Sequence, residues 1–228
     1  MSDLPGGRMA RRPVHFFWML DCSNSMSASG KITALNYAIR EALPDMIKAA
    51  HSNPAASLEL RTLTFSTGAQ WLQPNPVPIE DFAWQDVSAH GVTDMGAAFH
   101  LVSEQLGTPP MPDRAMRPVL ALVSDGQPTD DWRTGLRALD ATPWGQRALR
   151  MAIAIGDDAD LKMLKEFLVN PELEPYTTKN AKELAKAIHW ASTAAVRAAT
   201  TPHDGSAGVP QPPTLVITPD DDDDGNVW

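Results

Sequence analysis

Asp21, Ser23 and Ser25 stand at alternate positions in DCSNSM, directly behind the apolar run VHFFWML at 14–20. Asp125-Gly126 follows a second apolar run, PVLALVS at 118–124, and Thr93 lies in HGVTDMGAAF, just where a helical pattern begins. A carboxylate and hydroxyls closing a buried strand admit three chemistries: a nucleophile, a phosphoryl-transfer site, or a cation held by hard oxygens. Serine hydrolysis wants the nucleophile in a GxSxG elbow with a histidine to activate it, and Ser23 has neither. Phosphoryl transfer of the haloacid dehalogenase type wants a second carboxylate two residues after the first, as acid and base, and position 23 is serine. Asp21, Ser23 and Ser25 alone would also suit a helix-capping turn. Two carboxylates and three hydroxyls at three separate places suit a hard divalent cation better, and no Cys–His cluster of the kind zinc prefers accompanies them.

Those five side chains meet only if the elements between them bring three loops to one edge. The segments 14–20, 58–65 (LELRTLTF), 118–124 and 149–155 (LRMAIAI) read as buried strands, with 174–178 (EPYTT) as a weaker fifth. GAQWLQP at 68–74 reads as a sixth, antiparallel to 58–65 through a turn at Ser66–Gly68. The runs 14–20, 118–124 and 149–155 are almost continuously apolar, as strands covered on both faces must be. Between them, Ile32, Leu35, Ile39 and Leu43 recur at helical spacing, as do Met95, Phe99, Val102 and Leu106. Leu161, Leu164 and Leu168 mark a further helix, and Leu184, Ile188 and Ala191 another. Trp132, Leu136 and Leu139 predict one more, with Thr129 or Asp130 as its N-cap. Pro44 is expected to kink or interrupt the first helix, and 107–117 (GTPPMPDRAMR) reads as a surface loop.

Strands alternating with helices predict an α/β protein: a Rossmann-like, doubly wound, mainly parallel sheet flanked by helices. Such sheets bind ligands at the carboxyl ends of their strands, where the connections diverge. All three polar segments fall there.

DCSNSM, GVTD and VSDG together resemble the DxSxS, Thr and Asp elements of the metal-ion-dependent adhesion site in von Willebrand factor A (vWA) domains, over roughly residues 12 to 197. SDGQPTDDW at 124–132 is similar to the bacterial TerY-like branch, named for tellurium resistance. The resemblance implies one Mg²⁺ (or Mn²⁺ or Ca²⁺) ligated by Ser23, Ser25 and Thr93, with Asp21 and Asp125 direct or through water. It implies a non-catalytic interaction module of a bacterial stress or phosphorylation-linked signalling system. A partner protein would supply a Glu or Asp to the metal, and a Ser/Thr kinase and a PP2C-type phosphatase would be associated. A metal-dependent phosphatase or hydrolase of the haloacid dehalogenase-like type is the alternative. The chain departs from the usual pattern at Asn24, where glycine is common, and at Val92, which replaces the second glycine of Gly-Gly-Thr. Asn tolerates left-handed backbone angles and Val does not, so the loop at Val92 is expected to run differently.

The composition narrows the rest. The net charge is −9, and Asp204 with Asp220 to Asp224 carries six of those charges, leaving −3 for the remainder. Neither portion shows the basic stripe of a nucleic-acid binder. No apolar run approaches the roughly 18 residues of a membrane span, and no apolar signal segment follows the basic start, so a cytoplasmic protein without membrane contact is expected. Cys22, the one cysteine, has no internal disulfide partner and reads as a small buried side chain. Residues 1–11 read as a flexible N-terminus, 12–199 as the vWA domain, and 200–228 as a disordered, acidic, Pro-rich tail. In that tail Thr214 and Thr218 precede Ile217 and Asp221 by three residues. Both resemble Thr-x-x-Ile and Thr-x-x-Asp patterns that forkhead-associated domains read once phosphorylated.

Overall fold

The computed structural model describes residues 11–200. The N-terminal segment 1–10, the acidic tail, and Thr214 and Thr218 with it, lie outside the described residues. In chain order the elements are β1 (Arg12–Asp21), α1 (Lys31–His51), β2 (Ala56–Ser66), β3 (Gly68–Trp71), β4 (Val77–Pro78) and α2 (Met95–Ser103). Then come β5 (Val119–Ser124), α3 (Trp132–Asp140), β6 (Leu149–Ile155), α4 (Leu161–Leu168), β7 (Tyr176–Thr178) and α5 (Ala181–Thr200). The sheet runs β3-β2-β1-β5-β6-β7, with β4 also on β2. β1 pairs parallel with both β2 and β5, β5 with β6, and β6 with β7, while β3 and β4 are antiparallel to β2.

The alternation along β1 sorts its side chains between two cores. Phe16, Trp18 and Leu20 pack with Leu35, Ile39 and Met46 of α1 and Leu184, Ile188 and Val196 of α5. Phe17 and Met19 face the other way, onto Phe99 and Val102 of α2, Leu136 and Leu139 of α3, and Leu164 and Phe167 of α4. Helices on both faces explain why these strands are apolar throughout. Among the described residues no helix is long and apolar enough to cross a membrane.

Four expectations need correction. Pro44 does not interrupt α1, which continues from Lys31 to His51. Its buried face continues on both sides of that residue, from Leu35 and Ile39 to Met46 and Ala49, and this packing outweighs the roughly 3 kcal/mol that an interior proline costs. The strands foreseen at 68–74 and 174–178 are shorter, Gly68–Trp71 and Tyr176–Thr178. α3 is capped by Asp131, which accepts from the Thr134 amide at 3.2 Å, rather than by Thr129 or Asp130. The 107–117 connection is no mere surface loop, because Met111 and Ala115 plug into the core of α2, α3 and α4.

At the amino end of β1, Arg12 donates its amide to Ala55 O at 2.9 Å, and Asn53 Nδ2 reaches Thr200 O at the end of α5 at 2.7 Å. The described chain therefore begins and ends at the same edge of the sheet.

His15 of β1 is buried, with Nε2 lacking a hydrogen-bond partner. Burial, helped by the nearby Arg61 charge, lowers its pKa to about 4. A histidine held neutral stabilises the fold fully above its unfolded pKa of about 6.5, and that contribution is lost as pH falls from there to about 4. The window corresponds to about 3 kcal/mol. His15→Phe keeps the stacking against Phe17 and removes the titration. Its urea midpoint is expected to fall less than that of the wild type between pH 7 and 4.5. Parallel pH profiles for the two proteins would refute this assignment.

Candidate metal centre

The register of β1 and β5 pairs Leu20 with Val123, so Asp21 and Ser124 end neighbouring parallel strands at the point where the chain diverges to opposite sides of the sheet. Ser124 Oγ donates to Asp21 Oδ2 at 2.6 Å, and the Ser23 amide donates to Asp21 Oδ1 at 2.8 Å. Ser25 Oγ donates to Asp125 Oδ1 at 2.7 Å. Ser23 and Ser25 share a hydrogen bond of 2.9 Å between their hydroxyls. Because the one proton of Ser25 goes to Asp125, Ser23 is the donor in that pair, and each hydroxyl keeps a lone pair for another ligand.

Thr93 comes from a different loop and is held on both sides of its backbone. Its amide donates to Thr129 Oγ1 at 3.1 Å, and the Thr129 amide returns a bond to Thr93 O at 2.9 Å. Asp130 accepts from the amides of Gly96 and Ala97 at 2.8 and 2.9 Å, so the β5–α3 loop caps α2. A carboxylate at a helix N-terminus satisfies otherwise orphaned donors and suits the helix dipole. Asp94 completes the lacing, accepting from the Gly68 amide and the Thr129 hydroxyl. Asn24 and Val92 do not take left-handed angles, which fall instead on Gly91, at φ +71. That glycine absorbs the turn that Val92 could not, and the loop still delivers Thr93.

The three loops converge on Gly126. A Cβ built there would lie 3.3 Å from Thr93 Oγ1, 3.6 Å from Asp21 Oδ2 and 3.7 Å from Ser25 Oγ. Glycine leaves a space bounded by oxygens from all three segments. All five predicted residues are thus brought to one place, and Asp21, Ser23, Thr93 and Asp125 are buried. Among the described residues no cluster of three or more His, Cys, Asp or Glu side chains could hold a metal; the set gathered here is mixed, two carboxylates and three hydroxyls. Hard oxygens and small spacing suit Mg²⁺ or Mn²⁺.

Burial and neighbouring charge set the electrostatics of the centre. Burial pushes the Asp21 carboxyl above the ordinary carboxylate range, against the pull of hydrogen bonds from Ser124 and Ser23, and the Asp125 charge pushes it further up. The Cys22 thiol next to it is pushed up to about 12 by burial and by Asp21, so it is no thiolate nucleophile. Both Asp21 oxygens accept hydrogen bonds, from the Ser124 hydroxyl and the Ser23 amide. His90 donates its amide to Cys22 O and shares a 3.1 Å hydrogen bond with the Ser66 hydroxyl, so it steadies the loops rather than facing a reacting group.

Lys31, Ser124, Gly126, Thr129 and Asp130 also build the site, and sequence reasoning gave none of them a role in it. Lys31 Nζ lies 2.7 Å from Asp125 Oδ2. A signal for Ser124 and Gly126 was present beside the predicted Asp125, since VSDG ends a buried strand. Thr129 and Asp130 were visible as capping residues, but the helix they serve is α2.

No protein-family model and no curated protein matches the chain. Solved structures do. A von Willebrand factor type A protein from Catenulispora acidiphila superposes with a TM-score of 0.60 at 16% identity, over 82% of this chain and 43% of that one. The ArnB paralog VWA2 from Sulfolobus acidocaldarius gives 0.56 at 17% identity, over 78% of this chain and 45% of that one. Proximal thread matrix protein 1 from the mussel byssus, in a form with its MIDAS motif occupied by zinc, gives 0.60 at 14% identity, over 82% and 49%. The chain spans less than half the length of each. At these identities the likeness speaks for the backbone: this chain has the von Willebrand factor A fold.

Proposed function

We propose that the chain is a non-catalytic protein-interaction module whose binding depends on one divalent metal held by Asp21, Ser23, Ser25, Thr93 and Asp125. The convergence of Thr93, Asp21 and Ser25 oxygens on the space at Gly126 carries the reading. The zinc held by the MIDAS motif of the mussel protein, which shares the fold, supports it. Bound Mg²⁺, Mn²⁺ or Ca²⁺ would supply a positive centre with an open position for an anionic ligand. Asp21 and Asp125 provide charge, the three hydroxyls orient, and the hydrogen bonds to Ser124 and the Ser23 amide hold Asp21 ready. A Glu or Asp of a partner protein is the ligand that fits, since a carboxylate buried against a cation is held far more strongly than in water.

The similarity of SDGQPTDDW to the TerY-like branch supports a setting in cytoplasmic, phosphorylation-linked signalling beside a Ser/Thr kinase and a PP2C-type phosphatase. Thr214 and Thr218 are then the tail positions to map for phosphate. The test of the module is capture of partners from a lysate of the source cells by the immobilised chain. Thr93→Ala is expected to reduce capture on the order of tenfold or more with the fold retained, and a chelator to remove it. A complex indifferent to both would end this reading.

A further inference from the structure

Lys31 is the first residue of α1, and its side chain is about 10% exposed where it meets the fully buried Asp125 carboxylate at 2.7 Å. A cation is disfavoured at the first turn of a helix by the helix dipole, and no acidic residue of that turn offsets it. The chain also makes an unusual turn to put it there. Ser29 and Gly30 take left-handed angles in succession, at φ 52 and φ 77, immediately before Lys31, and such an angle is uncommon for a residue other than glycine. Both features make sense if the ammonium has work at Asp125.

We propose that Lys31 is a tethered substitute for the metal: it neutralises Asp125 while the centre is empty and is displaced when a divalent ion enters. This rests on the metal reading above and adds a regulator to it. With Lys31 in place the two carboxylates and the ammonium sum to one negative charge, and without it to two. A divalent ion therefore enters only by repelling or expelling the lysine, and in so buried a site that repulsion is poorly screened. The ammonium keeps the empty centre from flying apart, and it sets a threshold of metal concentration below which the module stays off. Its slight exposure gives the side chain a short way out to solvent.

The experiment uses the full chain with Mg²⁺ and Mn²⁺ as probes. Calorimetry on Lys31→Gln and Lys31→Met is expected to show metal affinity tighter than wild type by about tenfold. The metal-free variants should melt at lower temperature than the metal-free wild type, and saturating metal should raise their melting temperature by more. A second arm needs no variant: acylation of amines on the wild type, read by mass spectrometry, is expected to rise severalfold at Lys31 on adding Mg²⁺, relative to exposed Lys162. Wild-type or weaker affinity in both variants, or labelling of Lys31 unmoved by saturating Mg²⁺, overturns displacement and leaves the metal reading standing. Absence of binding in all three proteins overturns the metal reading, and this proposal with it.

Discussion

Alanine at both Asp21 and Asp125 is expected to abolish divalent-metal binding, with a loss on the order of 100-fold or more. The two carboxylates are the only negative charges among the five donors, and three neutral hydroxyls cannot hold a dehydrated cation against water. The same change has a structural cost. It strips acceptors from the Ser124 hydroxyl and the Ser23 amide and leaves Lys31 without its buried partner, each loss costing on the order of 1–3 kcal/mol or more. Gly126→Ala separates the two effects. It removes no donor, and its methyl would sit 3.3 to 3.7 Å from Thr93, Asp21 and Ser25 oxygens. That fills the space, asks the Thr93 hydroxyl to give by a few tenths of an ångström, and leaves ordinary contacts to the other two oxygens. Metal binding should be lost in Gly126→Ala with little change in urea midpoint. Retained calorimetric affinity in both proteins would show that the cation, if any, sits elsewhere.

Gly135→Ala should destabilise the fold by about 1–3 kcal/mol, the range for overpacking in a dense core. A Cβ on Gly135 would stand 2.4 Å from Gly96 O and 3.0 Å from Gly96 C and Cα. Those are backbone atoms, so nothing but separation of α2 and α3 relieves the clash. On propensity alone alanine would gain about 1 kcal/mol in a helix, so the sign of the result is diagnostic. The metal centre should suffer too, because α2 begins beside Thr93 and the loop leading into α3 carries Thr129. Urea denaturation decides it: a variant as stable as wild type would mean that the two helices are not locked at this crossing.

How much of this was legible beforehand follows from what kind of pattern each feature leaves. β1 and β5 announce themselves as apolar runs closed by a carboxylate, and the sheet-edge rule then places Asp21 and Asp125 together without any structure. β3 was foreseen by its turn, Ser66–Gly68, and only its length was overestimated. Thr93 was found by motif, but what holds it was not, because a hydrogen bond between residues 36 apart, such as Thr93 to Thr129, leaves no periodicity. Lys31 was hidden for a different reason. A lysine at the start of an amphipathic helix reads as a solvated end, and nothing in its neighbours says that the preceding turn swings it inward. Arg61 and Arg150 are similar. Each interrupts an apolar strand, and each is absorbed by distant acceptors: Gln73 and Pro74 carbonyls and Gln105 for the first, Asp140 with the Gly145 and Phe167 carbonyls for the second.

The tie between Asn53 and Thr200, beside the start of β1, gives the domain a front and a back. β1 spans ten residues from Arg12 to Asp21, about 30 Å at the usual rise per residue of a strand. The described chain starts and stops at the back, near Arg12 and Thr200, while the buried Asp21 and Asp125 carboxylates lie at the front. A partner held at the proposed metal centre would thus sit a full strand length from both ends of the described chain. On that reading the domain would hold one object while being held by another, as a coupling link does in a drawn train.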